Sequence, residues 1–232
     1  MTAVILSQQL LYAVKTREPH YSLTQELSKI GNTELVNELK ETNTHKTFLI
    51  NLYDSFAQIL IKEQQPDFST WRSRMVFFSN RNINVAGNFL SLNDIEHGML
   101  RHSLLWWSLG YLKKVANSNF EKQLRVPLDY RIHFALNCEA ASCPAIAFYA
   151  PEKLDNQLDD ATKLFWEEEV TFDDQRYTVY LSSIFNWYSG DFGGKKGISN
   201  LLNGNERIPS IKKVRLHFKP YNWTTLRGNF IE

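Results

Sequence analysis

The feature that most constrains this chain is the stretch THKTFLINLYDSFAQILIKE, residues 44–63. Phe48, Leu49, Leu52, Phe56, Ile59 and Leu60 recur there at helical spacing, and Pro66 stops the pattern. This predicts one long helix with a buried face, which other elements must cover. The rest of the first half supplies them. Leu23, Leu27 and Ile30 fall at helical spacing, as do Leu35, Val36 and Leu39, and Trp71, Met75, Phe77 and Phe78 continue the pattern. The opening MTAVILSQQLLYAVKTREP lacks a basic leader, and Gln8 and Gln9 break its apolar run, so it reads as a helix rather than a signal peptide. No apolar stretch reaches the ~18 residues of a membrane span. A cytoplasmic protein with no membrane association is the resulting expectation.

The texture changes at NINVAGNFLSLNDIEHGMLRHS, residues 82–103. A short strand or turn containing Gly87 leads into Ser91-x-x-Asp94, an approximate capping box ahead of a helix. RIHFALNC, 131–138, is short and apolar and reads as a strand. Leu154, Leu158, Ala161 and Phe165 mark a helix over about 151–168. EVTFDDQRYTVYLSS reads as a hairpin around Asp173–Gln175, followed by short helices near 183–189 and 195–203 and a last strand at about 213–218. Helices first and strands later give an α+β fold: a helical N-terminal half packed on a small, mostly antiparallel sheet. We expect a single domain over 1–232, with a helical lobe at about 1–80 and an α+β lobe at about 81–232.

Apolar residues make up 43% of the chain and aromatic ones 13%, which rules out disorder. With 26 basic against 25 acidic residues the net charge is +1, and no basic stripe suggests a nucleic-acid partner. Only two cysteines are present, Cys138 and Cys143, too few for a disulfide framework. On an extended 131–138, Cys138 shares a face with Ile132, Phe134 and Leu136 and reads as core, while His133 faces the other way. Cys143 precedes Pro144, a residue favoured at the first position of a helix. A helix starting there would favour the thiolate and lower the thiol pKa from about 8.5 into the range ~3.5–7.5. His133 is then the natural base, and backbone N–H groups around Cys143 could receive an oxyanion. A Cys138–Cys143 disulfide is sterically conceivable, but opposite facing and an expected reducing cytosol argue against it, and the C-x4-C spacing is not that of C-x-x-C redox proteins. A structural histidine and an inert cysteine are the plainer alternatives.

Five stretches together resemble the domain-of-unknown-function family 547 of bacteria and eukaryotes. These are FLINLYD at 48–54, LSLNDIEHGMLR at 90–101, RIHFALNCEAASCPAI at 131–146, LSSIFNWYSGDFG at 181–193 and the weaker YNWTTL at 221–226. The chain departs from the family's usual Asn at Asp54 and usual Asp at Asn222. The resemblance implies a candidate cysteine hydrolase with a papain-like or transglutaminase-like core in which histidine precedes cysteine. Some plant members lack the cysteine and histidine, so the family is not uniformly catalytic.

A cysteine–histidine pair needs an orienting group on the far imidazole nitrogen. Glu96, an acidic residue on the core side of its helix, is the first candidate; a buried ion pair with Arg101 or Arg131 is its bland alternative. Asn51, which interrupts the long apolar helix, is the second candidate orienter. The expected set is therefore Cys143, His133 and Glu96 as catalytic residues, with Asn51, Arg101 and Arg131 as binding residues. No H-E-x-x-H pattern occurs, and a metal site from His97, His133 and Cys143 lacks support in the spacing, so no metal or cofactor is expected. SLLWWSLGYL reads as core or the rim of a cleft, and WYSGDFGG as a tight turn rather than a phosphate loop. The expected function is a cysteine-dependent hydrolase or acyltransferase acting on an amide, thioester or peptide-like bond of a small molecule or peptide. A non-catalytic binding or scaffold domain is the alternative.

Overall fold

The computed structural model describes residues 1–115, 117–203, 208 and 214–231, and of Trp106 the backbone only. The long helix is there, as α4 (Thr42–Gln64), following α1 (Ala3–Thr16), α2 (Tyr21–Lys29) and α3 (Asn32–Glu38). Glu41 caps α4 by accepting from Asn43 N and Thr44 N, and Gln65 ends it in the left-handed conformation. From His45 to Ile61 every side chain of α4 is buried, so the helix is enclosed on all sides and α1 packs along it. Helix α5 (Trp71–Ser79) completes the first half.

A tight hairpin follows, β1 (Ile83–Val85) and β2 (Asn88–Leu90), turning through Ala86 and Gly87, both at positive φ. The capping box forms: Ser91 N and Oγ both donate to Asp94 Oδ2, and Asp94 N donates back to Ser91 Oγ. The element it opens is not a regular helix. Asp94–Leu100 is π-helical, with Arg101 N bonded to Glu96 O at 2.8 Å. Such segments are rare and carry no plain sequence signature.

Helix α6 (Asn119–Gln123) leads to the chain's main departure from expectation. Residues 131–138 do not form a strand. Tyr130–Phe134 is a 3₁₀ turn, nucleated by Asp129, whose carboxylate accepts from Arg131 N. Ile132 is buried in the core around α4, and Phe134 in a second core with Phe165, Leu181 and Phe185. Residues 137–150 have no helix or strand, and the next helical turn starts only at Pro151, ahead of α7 (Leu154–Glu169). Cys143 therefore does not sit at a helix start, and activation by a helix dipole falls away.

What holds this irregular segment is the polar side of α4. Asn51 clamps Tyr149, donating to its carbonyl at 3.0 Å and accepting from its N–H at 3.3 Å. Asp54 accepts from Asn137 N at 2.8 Å. Asn137 in turn donates to Pro144 O and accepts from Glu139 N. Buried backbone needs partners, and polar residues on an otherwise apolar helix supply them.

β3 (Thr171–Asp173) and β4 (Thr178–Ser182) form the expected antiparallel hairpin. After α8 (Ile184–Trp187) and α9 (Gly194–Asn203), β5 (Arg215–Lys219) returns parallel to β4, with Val179 opposite Leu216. Residue 213, the start of the expected last strand, lies outside the described residues. The fold is α+β, with a two-stranded antiparallel sheet and a mixed three-stranded one. No helix among the described residues is long and apolar enough to cross a membrane.

Asp54 offers a direct test of this arrangement. Among the described residues its second oxygen has no hydrogen-bond partner, and burial pushes its pKa well above the ordinary 3.8. A carboxyl raised on folding contributes most at low pH, and that stability is lost as pH climbs from the unfolded value through the folded one. Asp54→Asn is expected to stabilise the protein at neutral pH, because it removes the pH-dependent loss that the raised carboxyl imposes. The gain should shrink towards pH 4. Urea denaturation at several pH values measures it, and a loss of stability at neutral pH would refute the reading.

Candidate active site

The C-terminal segment is laced onto the cysteine loop by Ala141 N to Thr224 O, Leu226 N to Glu139 O and Ile146 N to Asn229 O. This lacing carries Tyr221 to Cys143, where the phenol lies 3.1 Å from the thiol sulfur. Cys138 N also donates to that sulfur at 3.1 Å, and the Cys138 sulfur itself lies 2.6 Å away. Both cysteines are free. Burial, the largest influence on Cys143, pushes its thiol up. Hydrogen bonds from Cys138, Tyr221 and the backbone more than offset it and leave the pKa below the ordinary value. Cys138 moves the opposite way, raised first by its bond to Cys143 and then by burial. The pair is thus polarised, with Cys143 the sulfur that more readily carries charge.

His133 is buried and reaches in the other direction. Its Nε2 lies 2.8 Å from Asp191 Oδ2. Among the described residues no hydrogen bond joins His133 to Cys143, and none engages its Nδ1. Its ring stacks on Tyr188 at 4.0 Å between centroids. Burial lowers its pKa more than Asp191 raises it, so the imidazole is neutral at neutral pH. Asp191 is held down at about 2: burial alone would raise it, but hydrogen bonds from Arg101 and His133 prevail. An ionised carboxylate only accepts, so Nε2 carries the proton and Nδ1 a lone pair.

Arg101 fixes Asp191 by two bonds, Nε to Oδ2 at 2.6 Å and Nη2 to Oδ1 at 2.9 Å. Its guanidinium also lies over the Tyr188 ring and bonds His97 Nδ1 at 2.9 Å. Asp191 itself sits just past α8, its N–H bonded to Tyr188 O. Two glycines make room for it. Gly110 has φ +87°, and a Cβ there would lie 2.0 Å from Asp191 Oδ1. Gly190 meets the same loop, and a Cβ on it would lie 2.7 Å from the Gly110 carbonyl carbon.

Glu96 is buried beside this array but does not touch His133. It accepts from Tyr188 Oη at 2.9 Å and Tyr53 Oη at 3.3 Å. Burial raises its pKa most, yet neighbouring positive charge and the Tyr188 bond leave it below the ordinary value. His97, 3.5 Å away, is driven by burial to about 4, so at neutral pH it is not an ion-pair partner. His97, Arg101 and His133, in that order, together with the Tyr188 bond, are what lower Glu96, and of the three only Arg101 keeps its charge at neutral pH. The far side of His133 belongs to Asp191, which the sequence reading passed over as part of a tight turn. The signal available was a lone carboxylate between glycines within LSSIFNWYSGDFG.

Cys143, Cys138, His133, Glu96 and His97 all line one cleft of about 450 Å³. Its other walls are largely aromatic, among them Trp71, Trp107, Trp187 and Trp223. The expected binding residues Asn51, Arg101 and Arg131 do not line it. Asn51 is the clamp on Tyr149, and Arg131 binds Asp129, Asp155 and Asp159. Neither of the ion pairs weighed for Glu96, with Arg101 or Arg131, forms, since both arginines are engaged by aspartates. Among the described residues no three His, Cys, Asp or Glu side chains are grouped to hold a metal ion.

No curated protein and no solved structure matches the chain. A family model does match, over residues 36–166, more than half of the 232 residues, and it spans His133 and both cysteines while Asp191 and Tyr221 lie beyond it. On that match the chain belongs to the family described as "Protein of unknown function, DUF547".

Proposed function

We propose that the protein is a cysteine-dependent hydrolase or acyltransferase acting on an amide, thioester or peptide-like bond. The observation that carries this reading is that the polarised Cys143 sulfur and the Asp191-held imidazole line one cleft. Cys143 as thiolate attacks the substrate carbonyl carbon, forming a carbon–sulfur bond as the carbonyl electrons move to oxygen. His133 Nδ1 receives the thiol proton and returns it to the leaving group as the carbon–heteroatom bond breaks. Water, or an acceptor nucleophile, then releases the acyl group from sulfur. Asp191 orients the imidazole and stabilises its charged form, and Arg101 positions Asp191. The kinship proposed with papain-like or transglutaminase-like enzymes goes no further than this reaction class, since in papain-like enzymes the cysteine precedes the histidine and here the order is reversed.

A second reading is a binding domain. It is favoured by the absence of a hydrogen bond between Cys143 and His133 and by the aromatic walls of the cleft, which suit an apolar ligand. Labelling separates the two. A panel of thiol-directed acyl probes is expected to acylate wild-type Cys143 and to leave Cys143→Ala unlabelled. The pH dependence of alkylation should give an apparent pKa below the ordinary ~8.5, and His133→Ala should slow acylation of Cys143. A thiol inert from about pH 5 to 9 would favour the binding domain over the enzyme.

A further inference from the structure

The sequence argument against pairing the cysteines rested on an expected reducing cytosol and on an extended strand, and the strand does not form. In its place, Cys138 to Cys143 is a closed loop, with Cys143 N bonded to Ala140 O at 2.8 Å and Cys138 N bonded to the Cys143 sulfur. The sulfurs are already in contact at 2.6 Å. The lacing to residues 222–226 braces the loop from outside, so the approach to a covalent bond of ~2.05 Å asks little of the backbone. Both sulfurs line the cleft, where a small oxidant can reach them. A mere structural pair of thiols in a core would have neither the contact nor the access.

We propose that Cys143 and Cys138 form a peroxide-responsive redox pair, in which a reversible intramolecular disulfide takes Cys143 out of action. This builds on the reading of Cys143 as the reactive sulfur. The chemistry has two steps. The Cys143 thiolate attacks a hydroperoxide, the O–O bond breaks, and Cys143 becomes a sulfenic acid. The expelled hydroxide or alkoxide takes up the proton the thiol had released, giving water or an alcohol. The Cys138 sulfur then attacks the Cys143 sulfur, displacing hydroxide, which takes the Cys138 proton and leaves as water. Two thiols are thus oxidised by two electrons and one peroxide is reduced. A low-molecular-weight thiol reverses it by exchange: two equivalents are oxidised to their disulfide as the dithiol is restored. Cys138 is the resolving partner that keeps Cys143 from climbing to the irreversible sulfinic acid.

The test is intact-protein mass spectrometry on the full chain. Reduced protein is treated with hydrogen peroxide, denatured and alkylated with iodoacetamide, with and without later dithiothreitol. The wild type is expected to lose two hydrogens and both alkylation sites, and to regain both with dithiothreitol. Cys138→Ser should instead give a Cys143 sulfenic acid that dimedone traps, passing to a sulfinic acid that dithiothreitol does not reverse; Cys138→Ala serves equally if the serine variant does not fold. A wild type that stays doubly alkylatable after peroxide, or that over-oxidises at Cys143 with Cys138 still free, overturns the proposal. Acyl-probe labelling of the reduced protein runs in parallel. A disulfide without acylation removes the hydrolase and leaves the redox pair, whereas acylation without a disulfide does the reverse.

Discussion

Arg101→Met is expected to destabilise the protein by about 3–5 kcal/mol, the usual cost of removing one partner from a buried ion pair. Arg101 and Asp191 are both fully buried at their side chains, so methionine leaves a carboxylate in the core with only His133 beside it. Arg131→Met makes the comparison. Its partners Asp155 and Asp159 are mostly exposed, and its mostly buried partner Asp129 keeps Lys46 at 3.0 Å, so Arg131→Met should cost less than Arg101→Met. Urea denaturation near neutral pH measures both, and equal costs would show that burial of the Arg101 pair contributes nothing special. The pH dependence has a definite sign. Asp191 is depressed from 3.8 to about 2, so what the pair contributes is present in full above 3.8 and lost as pH falls through about 2.

The larger effect on function should come from Asp191→Asn. The asparagine Oδ1 can still accept from Arg101, but its amide nitrogen donates and so faces the wrong way for an Nε2–H. The imidazole must then switch tautomer, placing its proton on Nδ1 and removing the lone pair that the proposed mechanism uses. Acylation of Cys143 by the best probe is expected to slow by on the order of 10²–10⁴-fold. The variant also leaves Arg101 buried without its counter-charge and should be less stable, so rates are compared below the onset of its thermal melt. An unchanged labelling rate would separate His133 from the chemistry of Cys143 and turn attention to the Tyr221 phenol as the group that activates the thiol.

Much of the scaffold can be read from the residues alone, because α4 and α7 carry long periodic patterns that leave little choice. The hairpin at 171–182 and the capping box at Ser91 and Asp94 are legible for the same reason: each is a local pattern with a local cause. Residues 131–138 are not. A run such as RIHFALNC is too short for periodicity to separate a strand from buried irregular chain. What decided it were remote groups, Asp54 and Asn51 on α4, whose polar atoms satisfy backbone far along the sequence. The site divides the same way. Cys143, His133 and Glu96 could be named from the sequence and meet at one cleft, but the pairing among them could not. Asp191, Tyr221 and the contact between the sulfurs depend on how the C-terminal third closes over the cysteine loop, and no spacing encodes that.

The π-helical run from Asp94 to Leu100 sets a rule about length as well as identity. Each residue in an α-helix turns the chain by roughly 100°, and in a π-helical run, whose bonds span five residues rather than four, by somewhat less. Adding or deleting a single position between the capping box and Arg101 would therefore swing the guanidinium to another quadrant, whatever side chains were kept. Sequences that align here without a gap can share the Arg101–Asp191 geometry, and those that differ by one residue have to build their carboxylate anchor some other way.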